Sequence, residues 1–158
     1  MNERETESVW EYPRPPRLET SHRTIAVVHS GITLARTSKA LRVLETSHPP
    51  TYYIPEEEIR MELLVPNANR TVCEWKGVAG YFDLVIGDTL VEGVAWTYQA
   101  PAPAYGELAG HLAFYAHKMD GCFVDDEKVM AQEGSFYGGW ITSHVTGPFK
   151  GASGTGGW

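Results

Sequence analysis

The chain has 158 residues, 42% of them hydrophobic and 21% charged, with a formal net charge of −7. That length fits one domain whose core needs no disulfide or metal staple, and the composition is globular rather than disordered. The acidic balance argues against a phosphate-tracking nucleic-acid binder and against an anionic membrane surface as partner.

Two cysteines, Cys73 and Cys122, are too few for a secreted disulfide scaffold, and no CxxC pair is present. Met1 to Tyr12 is charged and lacks the apolar stretch of a signal peptide, and no run approaches the roughly 18 apolar residues of a membrane span. A cytoplasmic protein is the expectation.

Residues 1–23 read as an extended arm, because Tyr12-Pro13-Arg14-Pro15-Pro16-Arg17 favours polyproline geometry. Trp10 and Tyr12 are its candidate anchors. Thr24 to Val28, a turn at Ser30-Gly31 and Ile32 to Ala35 form a hairpin pattern. Ser38 to Glu45 fits a short helix through Ala40, Leu41, Val43 and Leu44, or a strand through alternating Leu41, Val43 and Glu45. His48-Pro49-Pro50 ends it in either case. Tyr52 to Ile54 is a short strand, Pro55 to Glu58 one helical turn, and Val65 to Asn69 a loop.

The clearest hairpin runs from Tyr81 to Ile86, turns at Gly87-Asp88 and returns from Thr89 to Tyr98. Strict alternation puts Leu90, Val94, Trp96 and Tyr98 on one face. Pro101 and Pro103 then break the chain. His111 to His117 reads as a strand, with Leu112 and Phe114 opposite His111, Ala113, Tyr115 and His117, and a helix is the rival reading there. Cys122 to Val124 and Lys128 to Met130 flank an Asp125-Asp126 turn. Phe136 to Thr142 reads as one more strand, and Gly147 to Trp158 as a glycine-rich tail. The division expected is an arm at 1–23, a body at 24–146 and a tail at 147–158. Many short turn-bounded strands with one or two helical turns mean an all-β fold, a small barrel or sandwich.

The chemistry concentrates in Cys73 to Phe82, where a thiol, an acid, an indole, an amine and a phenol crowd one hairpin. Cys73 is a nucleophile if a cation such as Lys76 lowers its pKa, and otherwise a small buried hydrophobe. Lys76 beside Gly77, between Trp75 and Tyr81, suits an amine nucleophile, a general base or an anchor for a carboxylate or phosphate; the bland reading is a lysine snorkelling from a strand end. Glu45 and His48 would make an acid/base pair, while Arg42 with Glu45 would make a structural ion pair. Trp75, Tyr81, Trp96 and Tyr98 are either a ligand cage or core. No histidine or cysteine pair has zinc-site spacing.

Several of these segments together resemble the domain-of-unknown-function 427 family, also labelled nucleotidyltransferase-like. They are Arg42-Val43-Leu44-Glu45, His48-Pro49-Pro50 with Tyr52-Tyr53-Ile54-Pro55, Cys73-Glu74-Trp75-Lys76-Gly77 with Ala79 and Tyr81, Ala95-Trp96 with Tyr98, and His111 with Ala113-Phe114-Tyr115. The resemblance spans roughly residues 22–130, and the arm from Ser8 to Pro16 is similar to that of many members. It implies a β-tent fold, a pair of antiparallel sheets leaning together around a cleft. Many β-tent relatives carry two CxxC zinc knuckles; this chain has neither, so no structural zinc is expected. The transferase label does not carry over, because no Gly-Ser is followed by a paired-aspartate strand and no P-loop is present. Some β-tent relatives reduce methionine sulfoxide with a cysteine, a fold-level precedent for Cys73.

Two functions follow as expectations. One is a small-molecule enzyme using metal-free acid/base or amine chemistry, with Lys76, Glu45, Cys73 and His48 as catalytic candidates. The other is a binding module for a small aromatic or carboxylated ligand. In both, Tyr53, Trp75, Tyr81, Trp96, Tyr98 and Arg42 would contact the ligand, and no cofactor, metal, nucleic acid or membrane partner is implied. Exposed edge strands leave room for a homodimer.

Overall fold

A computed structural model describes residues 6–73, 75–132 and 138–150. In chain order the strands are β1 (Glu7–Ser8), β2 (Arg17–Thr20), β3 (Ile25–His29), β4 (Ile32–Thr37), β5 (Leu41–Leu44), β6 (Thr51–Pro55), β7 (Leu64–Cys73), β8 (Gly77–Ile86), β9 (Thr89–Thr97), β10 (His111–Phe114), β11 (Gly121–Val124), β12 (Glu127–Lys128), β13 (Met130–Ala131), β14 (Trp140–Ile141) and β15 (Val145–Thr146). Short 3-10 turns at Val9–Glu11, Glu56–Glu58, Met61–Leu63, Pro103–Leu108 and Ala116–Lys118 are the helical elements among the described residues. The fold is all-β, as the turn-bounded pattern requires, with more helical turns than the sequence indicates.

The main sheet has seven strands in the order β2-β5-β6-β10-β9-β8-β7, and a second has four in the order β12-β11-β3-β4. Their pairings are antiparallel. Two tight hairpins use left-handed residues at both turn positions, Ser30-Gly31 and Asp125-Asp126, which matches the twist of the flanking strands. Asp125 is held there structurally: its carboxylate accepts from Thr24 N at 2.9 Å and from Arg23 Nη1 at 2.7 Å.

Alternation along the strands sends the apolar side chains of the seven-stranded sheet to two faces. Tyr52, Ile54, Phe82, Leu84, Leu112 and Phe114 pack with Ile25, Val27, Leu34, Cys122 and Val124 of the four-stranded sheet to make the main core. Leu41, Val43, Tyr53, Ala79, Trp96, Tyr98, Ala113 and Tyr115 form a second cluster. A cavity opens beside this second cluster, on the face turned away from the four-stranded sheet.

That cavity shows the sheet to be curled. Val43 is on the second strand of the seven-strand order and Cys73 on the last. Five spacings of about 4.8 Å would separate them by roughly 24 Å in a flat sheet. Both nevertheless line one cavity of about 390 Å³. The cleft is thus enclosed by the two wings of a single sheet, and the second sheet packs on its back.

Bulges provide the bend. The register of β7 on β8 shifts between Pro66 and Arg70, and that of β8 on β9 between Phe82 and Leu84. One carboxylate ties both: Asp83 Oδ1 accepts from Asn67 Nδ2 at 2.7 Å and from Gly93 N at 2.8 Å. The loop expected at Val65–Asn69 is therefore a bulged stretch of β7. Gly93, at φ +61°, absorbs the second bulge and breaks the alternation of β9. Val94, inside the bulge, enters the main core, while Trp96 and Tyr98 enter the second cluster and Leu90, opposite Val85, is the exposed outer end of their face, so Val94 leaves the face expected for the four.

Ser38–Glu45 resolves as strand β5. The arm is extended only in part: Arg17–Thr20 pairs with β5 as an edge strand, and Glu7–Ser8 runs parallel to β15. Val9 and Tyr12 are its buried anchors, whereas Trp10 is exposed with Nε1 donating to Pro148 O at 2.8 Å. The Tyr105 hydroxyl clasps the arm by donating to Pro16 O at 2.6 Å. Of the strand expected at Phe136–Thr142, Trp140–Ile141 is strand, while Phe136 and Tyr137 lie outside the described residues, as does the tail beyond Lys150. No described helix is long and apolar enough to cross a membrane.

Candidate functional site

Aromatic rings form the cavity wall. Trp96 comes from β9 and Tyr98 from just past its end, Tyr81 from β8, Tyr115 from just past β10, and Trp75 from the turn joining β7 to β8. The rings of Trp96 and Tyr115 stack at a centroid distance of 4.5 Å. Tyr53 stands behind them, 1% exposed, with Trp96 Nε1 donating to its hydroxyl at 3.3 Å.

The phenols lie close together. The Tyr53 and Tyr98 ring centroids are 6.3 Å apart, and Cys73 packs in the same cluster. The Thr71 and Tyr81 hydroxyls lie 2.7 Å apart. Burial pushes the pKa values of Tyr53, Tyr98 and Tyr115 above the ordinary phenol range. These groups therefore stay protonated and serve as hydrogen-bond donors and acceptors.

The other end of the cavity is charged. Gly77, at φ +109°, makes the turn that delivers Lys76, and Ala102 N donates to Lys76 O at 2.9 Å to fix it. The Lys76 side chain is buried, 8% exposed, with Nζ over the Tyr98 ring at 5.9 Å from its centroid. Among the described residues no carboxylate pairs with it. Lys150 lines the same space, its backbone N donating to Ser47 O at 2.8 Å.

His48 and Glu45 face the cavity from the loop after β5, with Nε2 and Oε2 3.9 Å apart. Burial lowers the His48 pKa; Glu45 opposes this, while Lys150, Lys76 and Arg14 reinforce it. Gln132, 3% exposed, sits behind His48. Its side chain contacts His48 Nδ1 at 3.2 Å, Lys150 O at 2.6 Å and Gly139 N at 3.2 Å.

Of the residues read from sequence, Glu45, His48, Cys73, Trp75, Lys76, Tyr81, Trp96 and Tyr98 line this one cavity. Tyr53 backs the wall without lining it. Arg42 points away: its guanidinium holds Glu19 Oε2 at 2.8 Å and both carboxylate oxygens of Glu7 at 3.0–3.1 Å, clamping the arm. The ion pair considered between Arg42 and Glu45 is thus replaced by one between Arg42 and two residues of the arm. Cys122 is a core residue with its pKa pushed up to about 12 by burial. Among the described residues no three His, Cys, Asp or Glu side chains converge as metal ligands would.

Sequence reading missed Tyr115, Gln132 and Lys150 as lining residues. Tyr115 was legible, since it alternates with Ala113 on the face opposite Leu112. Gln132 and Lys150 belong to no periodic pattern, and only the chain's return across the cavity brings them in.

Comparison with protein families places the pattern in context. The family described as a domain of unknown function, DUF427, matches residues 17–125, 109 of the chain's 158 residues. The chain belongs to this family. No match to a curated protein was found. Within the DUF427 match lie the aromatic wall, Lys76, Glu45, His48 and Cys73. Gln132, Gly138 and Lys150 fall beyond it, so this member closes its cavity with residues the match does not span.

Proposed function

We propose that this DUF427 protein binds a small aromatic carboxylate, or a similar planar anion, in the curled face of its seven-stranded sheet. Lys76 carries the reading: a buried ammonium at a cavity, over an aromatic ring, with no described carboxylate to neutralise it, is completed by an anionic ligand group. Charge supports this. The described lining holds two lysines and one carboxylate, in a protein whose net charge is −7. At about 390 Å³ the cavity also falls in the range of about 300–1,000 Å³ usual for small-molecule sites.

A catalytic version uses the same residues. Lys76 can supply an amine, His48 and Glu45 stand close enough to share proton transfer, and the Cys73 thiol adjoins Tyr98. The observation favouring it is the gathering of thiol, amine, imidazole and carboxylate in one cavity rather than around the surface.

Calorimetric titration with paired probes, an aromatic acid such as indole-3-carboxylate and its neutral amide, tests the proposal. The acid should bind more tightly than the amide. Lys76→Met should weaken the acid about 10-fold or more, equivalent to ~1.4 kcal/mol, and leave the amide unchanged. Equal affinities for acid and amide, or an unchanged acid affinity in the variant, would refute the anion site.

A further inference from the structure

The hydrogen bonds around Gln132 determine where a proton sits in the cavity. A backbone N–H can only donate, so the contact from Gly139 N makes the Gln132 atom facing it the amide oxygen. The amide nitrogen then faces the other two partners. Its two hydrogens go to Lys150 O at 2.6 Å and to His48 Nδ1 at 3.2 Å. His48 Nδ1 is therefore an acceptor, and a neutral imidazole with a bare Nδ1 carries its proton on Nε2. Nε2 is the ring nitrogen lying 3.9 Å from Glu45.

This arrangement is tightly built. Gln132 is buried. Lys150 N is tied to Ser47 O, next to His48, and Trp140 N donates to Pro50 O at 2.9 Å. A Cβ on Gly139 would lie 2.5 Å from Pro49 O and 2.8 Å from Gln132 Oε1, so only glycine fits there.

We propose that Gln132 is a positioning residue that acts as a proton-sensitive latch. Its amide holds His48 in the neutral Nε2–H form and, through the same nitrogen, holds Lys150 at the cavity. A proton on His48 Nδ1 sets N–H against N–H and opens the latch. The inference rests on the anion-site reading for its consequence, because the latch keeps Lys150 beside the ligand.

Among the described residues, the charged groups facing His48 include Glu45 on its own loop, Lys76 from the β7–β8 turn, Lys150 from the returning chain and Arg14 from the arm. Burial and the three cations favour the neutral ring; Glu45 favours the charged one. With its pKa lowered, His48 stabilises the latched form fully above the ordinary histidine value of about 6.5. That contribution is lost as pH falls through the lowered value.

Two-bond nitrogen–proton NMR of the full chain, recorded without ligand from pH 5 to 8, reads the tautomer directly. The expected parent spectrum at pH 7.5 shows His48 protonated at Nε2 with a bare Nδ1. Gln132→Glu replaces the amide donor with a carboxylate acceptor. It should move the proton to Nδ1 and raise the titration midpoint by about one unit or more, the usual spread of histidines in folded proteins. The protection factor of the Lys150 amide in the parent, its exchange corrected for the base-catalysed intrinsic rate, should fall about 10-fold or more once His48 is protonated.

A parent His48 protonated at Nδ1 at pH 7.5, an unchanged midpoint in the variant, or a pH-independent Lys150 protection factor would overturn the latch. If Gln132→Glu fails to fold, the parent spectrum and the exchange data still decide. Because no ligand is present, this outcome is separate from that of the acid and amide titration: either proposal can fail while the other stands.

Discussion

At Gly138 and Gly139 the cavity leaves no room for a side chain. A Cβ on Gly138 would overlap the Trp96 ring, and one on Gly139 would meet backbone at Pro49. Gly139→Ala should cost about 1–3 kcal/mol as an overpacked site, read as a lower midpoint in urea. Gly138→Ala meets the buried Trp96 ring, which Tyr53 and Tyr115 hold in place, so it should cost a comparable amount and also weaken acid binding and alter tryptophan fluorescence. Equal stability of both variants and the parent would contradict these contacts. The same scale shows what the sequence made legible. Cys73, Trp75, Lys76 and Tyr81 cluster because they share one hairpin, and nearness in sequence there is nearness in space. Arg42 was placed at the ligand because alternation assigns residues to faces but does not say which face is the cavity. The answer depends on Glu7 and Glu19, which reach Arg42 from the arm.

The bend of the sheet belongs to elements rather than to single side chains, and Asp83 is its fastener. Asp83 lies on β8, between β7 and β9, and accepts one hydrogen bond from each bulge. Asp83→Ala should cost about 2 kcal/mol, the order expected for hydrogen bonds to a charged group, and should relax both bulges together. Flattening would draw Thr71 and Cys73 away from Val43, so acid binding should fall by more than the stability loss explains. Loss of stability with unchanged binding would mean that the curl is set elsewhere. Bulges also explain why the strands were read correctly but the face of Val94 was not. A period-two reading assumes an unbroken ladder, whereas the bulge at Gly93 sets three residues of β9 opposite Asp83 and turns Val94 into the main core, while Trp96 and Tyr98 keep the face of Leu90. The Ser30-Gly31 and Asp125-Asp126 hairpins were legible because their turn chemistry is local.

For the whole molecule, the match to the DUF427 family ends at residue 125, but the fold does not. Trp140 is 2% exposed in the main core, meets Tyr52 edge-on at 5.5 Å and donates from Nε1 to Phe114 O at 3.0 Å. Val145 is buried with Val9, Tyr12 and Leu44, and β15 pairs with β1. The returning chain thus fills the core, fastens the arm and closes the cavity at Gln132 and Lys150. None of these roles has a sequence signature, because each depends on partners about 25 to 140 residues away along the chain. A chain ending at residue 125 should therefore be much less stable than the full protein. Losing a buried tryptophan alone costs about 3–5 kcal/mol, and each kcal/mol lowers Tm by about 2–4 °C at this size. The shortened chain should melt at least about 10 °C lower, and Trp140→Ala in the full chain should account for much of that drop. Calorimetry of the three proteins checks it. A shortened chain melting within a few degrees of the full one would show that residues 1–125 fold without the returning chain, which would then serve the cavity alone.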